Sequence, residues 1–394
     1  MQDQSKSRSD RAGAATGLLV LADGTVIYGQ GAGATGAAIG EVCFNTAMTG
    51  QQEILADPSY AGQIVCFTFP HVGNVGANGE DEEAASEPAR TAAVGMISRA
   101  PITEPANWRA EDRFDAWLET RGIVALTGVD TRALTRRIRD QGMAMAVIAH
   151  APDGVFDLEK LKRLAAEAPA MEGRELARAV ASPEEADWRE AGWDWPDGAL
   201  EQDGQGPLVV VLDYGVKANI LRRLVSAGAQ VQIAPGSAAA EDILAMKPAG
   251  IVVSNGPGDP AATGQYAVGT IKAIIEAGVP VLGICLGHQM LARAVGGKTV
   301  KMAQGHHGAN HPVKNHETGQ VEIVSMNHGF AVDRDSLPAD AVETHVSLFD
   351  GTNCGFRLTS KPVVSVQHHP EASPGPQDSF NVFDNFVESL KEPA

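Results

Sequence analysis

Val279-Pro280-Val281-Leu282-Gly283-Ile284-Cys285-Leu286-Gly287-His288-Gln289-Met290-Leu291 changes its periodicity halfway. The first half is a short apolar run, the pattern of a strand buried on both faces. The second half opens an amphipathic helix, with Met290, Leu291, Ala294 and Val295 recurring on one face. Cys285 stands at the switch, between Gly283 and Gly287. A side chain on a sharp strand-to-helix turn sits on a constrained backbone that bulkier neighbours would crowd, so small residues are needed on either side. The helix aims its N-terminal dipole and free N–H groups at the sulfur, which favours thiolate. Free cysteine is also a common small core residue. The rest of the chain decides between packing and chemistry.

Around this stretch, apolar runs and helical spacings alternate. Residues 208–212, 231–233, 251–253 and 279–282 read as strands, and 217–227, 241–246 and 266–277 as helices. That rhythm predicts a doubly wound α/β unit, a parallel sheet with helices on both faces. Ligands on such sheets sit at the carboxyl ends of the strands, so the loops after Leu212, Val253 and Leu282 matter. A further strand-like run, residues 363–367, leads to His368-His369-Pro370-Glu371. His369 and Glu371 then fall at the same sheet edge as Cys285. Pro370 biases His369 toward extended backbone, and two extended residues project imidazole and carboxylate the same way. Glu371 can fix the tautomer of His369 while His369 faces the thiol; the alternative is a surface His-His-Pro turn. After residues 251–253 comes Ser254-Asn255-Gly256-Pro257-Gly258-Asp259-Pro260. Its glycines let bare N–H groups approach a ligand. With the N–H of Leu286, Gly258 can supply two donors to an oxyanion, worth about 3 kcal/mol each; otherwise the loop is a tight strand-end turn.

The chain has 394 residues, enough for two domains. A net charge of −18 excludes a basic nucleic-acid face, and 44% hydrophobic residues suit a globular core. Residues 1–13 read as a disordered polar tail without a signal-peptide h-region, and no apolar run is long enough to span a membrane. Cys43, Cys66, Cys285 and Cys354 show no CxxC spacing, which points to a reducing cytoplasm. Leu18–Leu21 and Thr25–Tyr28 flank Asp23-Gly24, a hairpin signal. Gly31-Ala32-Gly33-Ala34-Thr35-Gly36 fits GxGxxG, but a strand-like run, residues 41–45, follows instead of a helix, so no dinucleotide site is expected. Residues 64–69 read as a strand, 76–105 as surface loop, and 113–120, 131–141 and 158–168 as helices, the second capped by Asp130. This irregular mixture suggests a separate α+β domain over residues 14–181, with a tryptophan-bearing linker over 182–206 and the α/β domain over 207–394. His306, His307 and His311 cluster without a carboxylate or cysteine at ligand spacing, so no metal is expected. Asn327-His328-Gly329-Phe330 reads as a loop lining a pocket.

Gly283-Ile284-Cys285-Leu286-Gly287-His288-Gln289, Ser254-Asn255-Gly256-Pro257-Gly258-Asp259-Pro260 and His369-Pro370-Glu371 resemble the class I glutamine amidotransferases, whose domain is flavodoxin-like. The likeness goes further, to the small subunits of carbamoyl-phosphate synthase. It includes Asp213-Tyr214-Gly215-Val216-Lys217, Asn219-Ile220-Leu221-Arg222, residues 305–313, Asn327–Val332 and residues 369–376. In the first half it includes residues 40–46, Met48-Thr49-Gly50, Glu53-Ile54-Leu55, Asp57-Pro58-Ser59-Tyr60 and His71-Val72-Gly73-Asn74. It covers nearly the whole chain after residue 13. The departures are Gln51, where the family commonly has an aromatic, and a longer N-terminal tail.

The resemblance implies a glutaminase subunit that hydrolyses glutamine and passes ammonia to a large synthetase subunit. That partner makes carbamoyl phosphate from ammonia, bicarbonate and two ATP for arginine and pyrimidine synthesis. Cys285 is implied as nucleophile, His369 as base and then acid, and Glu371 as the orienting carboxylate. Ser59, Gly256, Gly258, Leu286, Gln289, Asn327, Gly329 and Phe330 are implied to hold L-glutamine. No cofactor is expected on this chain, ATP and magnesium belonging to the large subunit, and a higher oligomer of heterodimers is left open. The alternatives are a stand-alone amidase of the same fold and a catalytically dead interaction module.

Overall fold

The computed structural model describes residues 15–90, 92–202 and 205–391; the tail expected over residues 1–13 lies outside them. By its contacts the chain separates into two units. The second comprises Ala56–Ala61, Glu82–Arg90 and the chain from Glu172 onward; the first comprises the other described residues.

Among the described residues the first unit is a closed barrel. Its strands are β1 (Gly17–Leu21), β2 (Val26–Gly33), β3 (Gly36–Asn45), β4 (Gln63–Phe67), β5 (Gly95–Ile97), β6 (Val124–Thr127) and β7 (Ala144–His150). They run in the order β1-β2-β6-β5-β4-β3-β7, and β7 pairs back onto β1. The Asp23-Gly24 turn joins β1 and β2: the Leu21 N–H donates to the Thr25 carbonyl, and Gly24 takes φ 85°. Leu19 and Leu21 pack in one cluster with Leu134 and Ile138 of helix Thr131–Gln141. Leu18 and Val20, facing the other way, pack against Leu161 and Ala165 of helix Leu158–Glu167. The Asp130 carboxylate caps the former helix by accepting from the Ala133 N–H at 3.0 Å.

No helix follows the GxGxxG stretch. It ends β2 and begins β3, and a Cβ at Gly31 would lie 2.0 Å from the His150 ring. One expectation fails here. Residues 76–105, read as surface loop, contain β5, which is buried and paired with β4 on one side and β6 on the other. Three residues, Gly-Met-Ile, are too few to show a period of two, and their strand character comes from the neighbouring backbones.

The second unit contains β8 (Ala186–Trp188), β9 (Leu208–Asp213), β10 (Gln230–Pro235), β11 (Gly250–Val253), β12 (Val281–Ile284), β13 (Lys298–Asn315), β14 (Val321–Asp333), β15 (Ala341–Ser347), β16 (Asn353–Leu358) and β17 (Val363–Val366). They form one sheet ordered β14-β13-β15-β16-β17-β12-β11-β9-β10-β8. The central five are parallel, and β8 and β13 to β16 extend the sheet antiparallel. In chain order the parallel strands lie 2-1-3-4-5, the flavodoxin-like winding. Alternate residues feed the two faces. Val210, Leu212, Ile251 and Val281 pack under helices Pro260–Ala277 and Leu286–Ala294 through Ile271, Ile274, Met290 and Leu291. Val209, Val211, Val252 and Leu282 pack under helices Ala218–Ser226 and Asn381–Ser389 through Leu221, Leu224, Phe383 and Phe386. Part of the stretch expected as linker, Ala186–Trp188, is built into this sheet as its edge strand.

Asn327-His328-Gly329-Phe330 belongs to β14 rather than to a loop, and the three histidines His306, His307 and His311 lie on β13. Register shifts between Lys301 and His306 and between Gly308 and His311 break the alternation that would have marked these strands in the sequence.

Candidate active site

The turn between β12 and helix Leu286–Ala294 puts Cys285 at φ 54°, ψ −104°, a conformation that residues with a Cβ rarely adopt. Close packing holds it there. The Cys285 N–H donates to the Val366 carbonyl of β17 at 2.9 Å. A Cβ on Gly287 would lie 1.9 Å from the Val253 carbonyl oxygen, and one on Gly283 2.4 Å from Leu291 Cδ1. Both glycines are therefore required by contact distance, as their spacing around the cysteine predicts. The thiol is buried and donates to the Asn327 carbonyl at 3.6 Å.

His369 and Glu371 follow β17, beside β12, and so arrive at the same carboxyl edge. The Glu371 carboxylate accepts from His369 Nδ1 at 2.6 Å, with both groups buried. The Cys285 sulfur acts electrostatically on the ring, whose Nε2 has no other hydrogen-bond partner among the described residues. Burial opposes charge on both groups and loses in both. Lys217 and then His369 hold the Glu371 carboxyl down at about 2. Glu371 and Cys285 hold the His369 ring well above the ordinary imidazole range. The pair is therefore carboxylate and imidazolium. His368 is a different case: it meets the His345 ring edge-on with centroids 5.6 Å apart, and burial pushes its pKa well below the usual range.

The remaining predicted residues lie in the turn Pro58–Tyr60, the loop after β11, the helix Leu286–Ala294 and β14. The Ser59 hydroxyl accepts from the Asn255 side-chain amide at 2.8 Å. Leu286 is the first residue of the helix and is buried. Gly256 abuts it, since a Cβ there would meet Leu286 Cδ2 at 2.8 Å and the Tyr214 carbonyl oxygen at 2.1 Å. Gly258 lies further along, at φ 89°, bridged to Glu175. Gln289 donates to the Phe330 carbonyl at 2.8 Å and to the Gln367 side chain at 3.0 Å. The Asn327 amide oxygen accepts from His307 Nδ1 at 3.0 Å, and its NH2 donates to the Asp57 carboxylate at 3.3 Å. Gly329 and Phe330 continue the same strand.

Four residues without an assigned role complete the site. Lys217, fully buried, donates to Glu371 Oε1 at 3.0 Å and to the carbonyls of Ala372 at 2.7 Å and Ser373 at 2.9 Å. Asn255 accepts from the Lys217 N–H at 3.0 Å while holding Ser59. Asp57 caps the turn Pro58–Tyr60 by accepting from the Ser59 N–H at 2.8 Å. Glu83 is fully buried, although its acidic surroundings read as exposed loop. The available signal was Lys217 itself, a lone cation at a strand-end turn in an apolar stretch.

The histidine cluster gains a carboxylate from a distant part of the chain: His306 Nε2 and Asp350 are 2.9 Å apart. Burial lowers His307 to about 3 and His311 to about 4, so both rings are neutral at physiological pH. Among the described residues no group of three or more His, Cys, Asp or Glu side chains is arranged to hold a metal. Also among them, no helix is long and apolar enough to cross a membrane.

A family model for the carbamoyl-phosphate synthase small chain, CPSase domain, matches residues 19–148, and one for glutamine amidotransferase class-I matches residues 210–389. The carbamoyl phosphate synthase small chain of Maricaulis maris is 71% identical, over 95% of this chain and 96% of its own length. That of Mesorhizobium japonicum is 63% identical over 96% and 95%, and that of Brucella canis 61% over 96% and 93%. An amidotransferase-type elbow in the second unit and matches along nearly the full length lead to one conclusion: the chain belongs to the carbamoyl phosphate synthase small chain family.

Proposed function

We propose that this chain is the glutaminase subunit of a glutamine-hydrolysing carbamoyl phosphate synthase. It acts in the cytoplasm and supplies ammonia to a large subunit that binds ATP and magnesium and makes carbamoyl phosphate for arginine and pyrimidine synthesis. The observation that carries this reading is the connected set of Cys285, His369 and Glu371, backed by Lys217, at one sheet edge.

Cys285 as thiolate attacks the side-chain amide carbon of glutamine. The oxygen takes the negative charge and is met by backbone N–H groups, that of Leu286 and one from the Gly256–Gly258 loop, Gly256 being the glycine that abuts Leu286. The tetrahedral species collapses, the C–N bond breaks, and the His369 imidazolium gives its proton to the departing nitrogen. Neutral His369 then takes a proton from water, which attacks the γ-glutamyl thioester. Glutamate leaves, and the proton on His369 again faces a thiolate. Glu371 keeps the ring oriented and stabilises its charged form through both halves. Ser59, Gln289, Asn327, Gly329 and Phe330 hold the amino-acid part of the substrate.

The test is Cys285→Ala in the complex with the large subunit. Glutamine-dependent carbamoyl phosphate synthesis is lost, and synthesis from ammonium salts persists. Equal loss of both would refute the assigned role. Robust glutamine hydrolysis by the isolated chain, unaffected by the large subunit, would point instead to a stand-alone amidase.

A further inference from the structure

The turn that carries Glu371 is anchored at its far side by a second buried carboxylate. Ala372 and Ser373 follow Glu371 with φ of 60° and 55°. Residues with a Cβ keep this left-handed conformation only where their surroundings over-determine it. Lys217 does part of this, spending its donors on Glu371 and on the carbonyls of Ala372 and Ser373. Glu83 does the rest. Its carboxylate accepts from the Ser373 hydroxyl and, at 3.1 Å, from the Asn219 N–H. Its own carbonyl accepts from the Ala218 N–H at 2.9 Å, and the Asn219 side-chain amide donates to the Glu371 carbonyl. Burial outweighs the pull of Lys217 and Arg222 and raises the Glu83 carboxyl above the ordinary range. A buried carboxylate is costly unless it is paired and hydrogen-bonded. Glu83 is hydrogen-bonded by Ser373 and Asn219, yet it takes no part in the triad's hydrogen bonds.

We propose that Glu83 is a positioning residue for glutamine hydrolysis: through the Ser373 hydroxyl and Asn219 it fixes residues 371–373 and so sets Glu371 against His369. This rests on the glutaminase reading above. Loss of the anchor lets the turn relax and Glu371 drift, which slows the proton transfers while leaving the glutamine-binding strand and loops in place.

The experiment uses the small chain purified with its large subunit. Glu83→Gln keeps the size but replaces one of the two oxygens that accept from the Ser373 hydroxyl and the Asn219 N–H with an amide nitrogen. It lowers kcat for glutamine hydrolysis by about tenfold or more and changes KM by less than about threefold. Synthesis from ammonium salts is retained. Ser373→Ala lowers kcat with the same split, and the double variant is no worse than the weaker single, because both act through one contact. Wild-type kcat in Glu83→Gln overturns the proposal, as does a loss confined to KM. Losses that multiply in the double variant overturn the route through Ser373. If Glu83→Gln fails to assemble, Ser373→Ala decides alone, and unchanged kcat refutes the anchor. A wild-type complex that does not hydrolyse glutamine would instead remove the glutaminase reading.

Discussion

Lys217→Met removes the charge at the centre of the buried network and keeps most of the stem's volume. In the native protein the Glu371 carboxyl titrates at about 2 instead of 4.5. At about 1.4 kcal/mol per pH unit, that drop corresponds to about 3 kcal/mol of stability. Glu371 is fully buried, so solvent does not screen the effect. Burial alone raises this carboxyl, and Lys217 is the strongest of the groups that reverse it. Methionine therefore leaves Glu371 with only His369 as counter-charge, and it also strips Glu83 of its strongest cationic partner. Breaking a buried pair from one side costs about 3–5 kcal/mol. The sign with pH follows. A carboxyl lowered in the fold contributes stability that is full above pH 4.5 and is lost as pH falls toward about 2. The variant lacks that contribution, so its deficit is largest at neutral pH and shrinks on acidification. Urea unfolding of both proteins, followed by tryptophan fluorescence at pH 7 and at about pH 3, between the two titration points, measures this. The expected outcome is a deficit of about 3 kcal/mol at pH 7 that narrows at the lower pH. A variant within about 1 kcal/mol of the parent at pH 7, or a deficit that does not change with pH, refutes the reasoning.

Two further predictions test the geometry around the elbow. Gly287→Ala places a Cβ 1.9 Å from a backbone oxygen that no rotamer change can move, so the elbow itself must shift. A destabilisation of about 1–3 kcal/mol or more, read as a lowered thermal midpoint together with lost glutamine hydrolysis, is expected; a parental midpoint contradicts it. Asp57→Ala removes the acceptor shared by the Ser59 N–H and the Asn327 amide. Steady-state kinetics should show KM for glutamine raised by about tenfold with kcat nearly kept, whereas a kcat effect at constant KM would assign Asp57 to the chemistry.

Much of the α/β unit was legible in the residue order. Each parallel strand is a short apolar run, each crossover helix carries its own spacing, and the Gly-x-Cys-x-Gly elbow is dictated by contact distances as short as 1.9 Å. The antiparallel extension was not legible. β13 and β14 carry bulges where their polar residues turn inward, so the period of two disappears where Asn327 is delivered to the thiol. The barrel was also hidden, because closing it depends on pairing β1 with β7 and on a three-residue strand whose identity comes from its partners.

From its sequence alone this protein reveals which atoms can do chemistry: a sulfur on an elbow, and an imidazole and a carboxylate after the last parallel strand. Local backbone geometry and side-chain spacing suffice for that. Only the tertiary structure decides the charge state of those atoms. The Lys217–Glu371 pair joins residues 154 apart in number, and Glu83 reaches Ser373 across 290. Electrostatic coupling depends on distance and burial in the folded chain, and neither is encoded by any local pattern of residues.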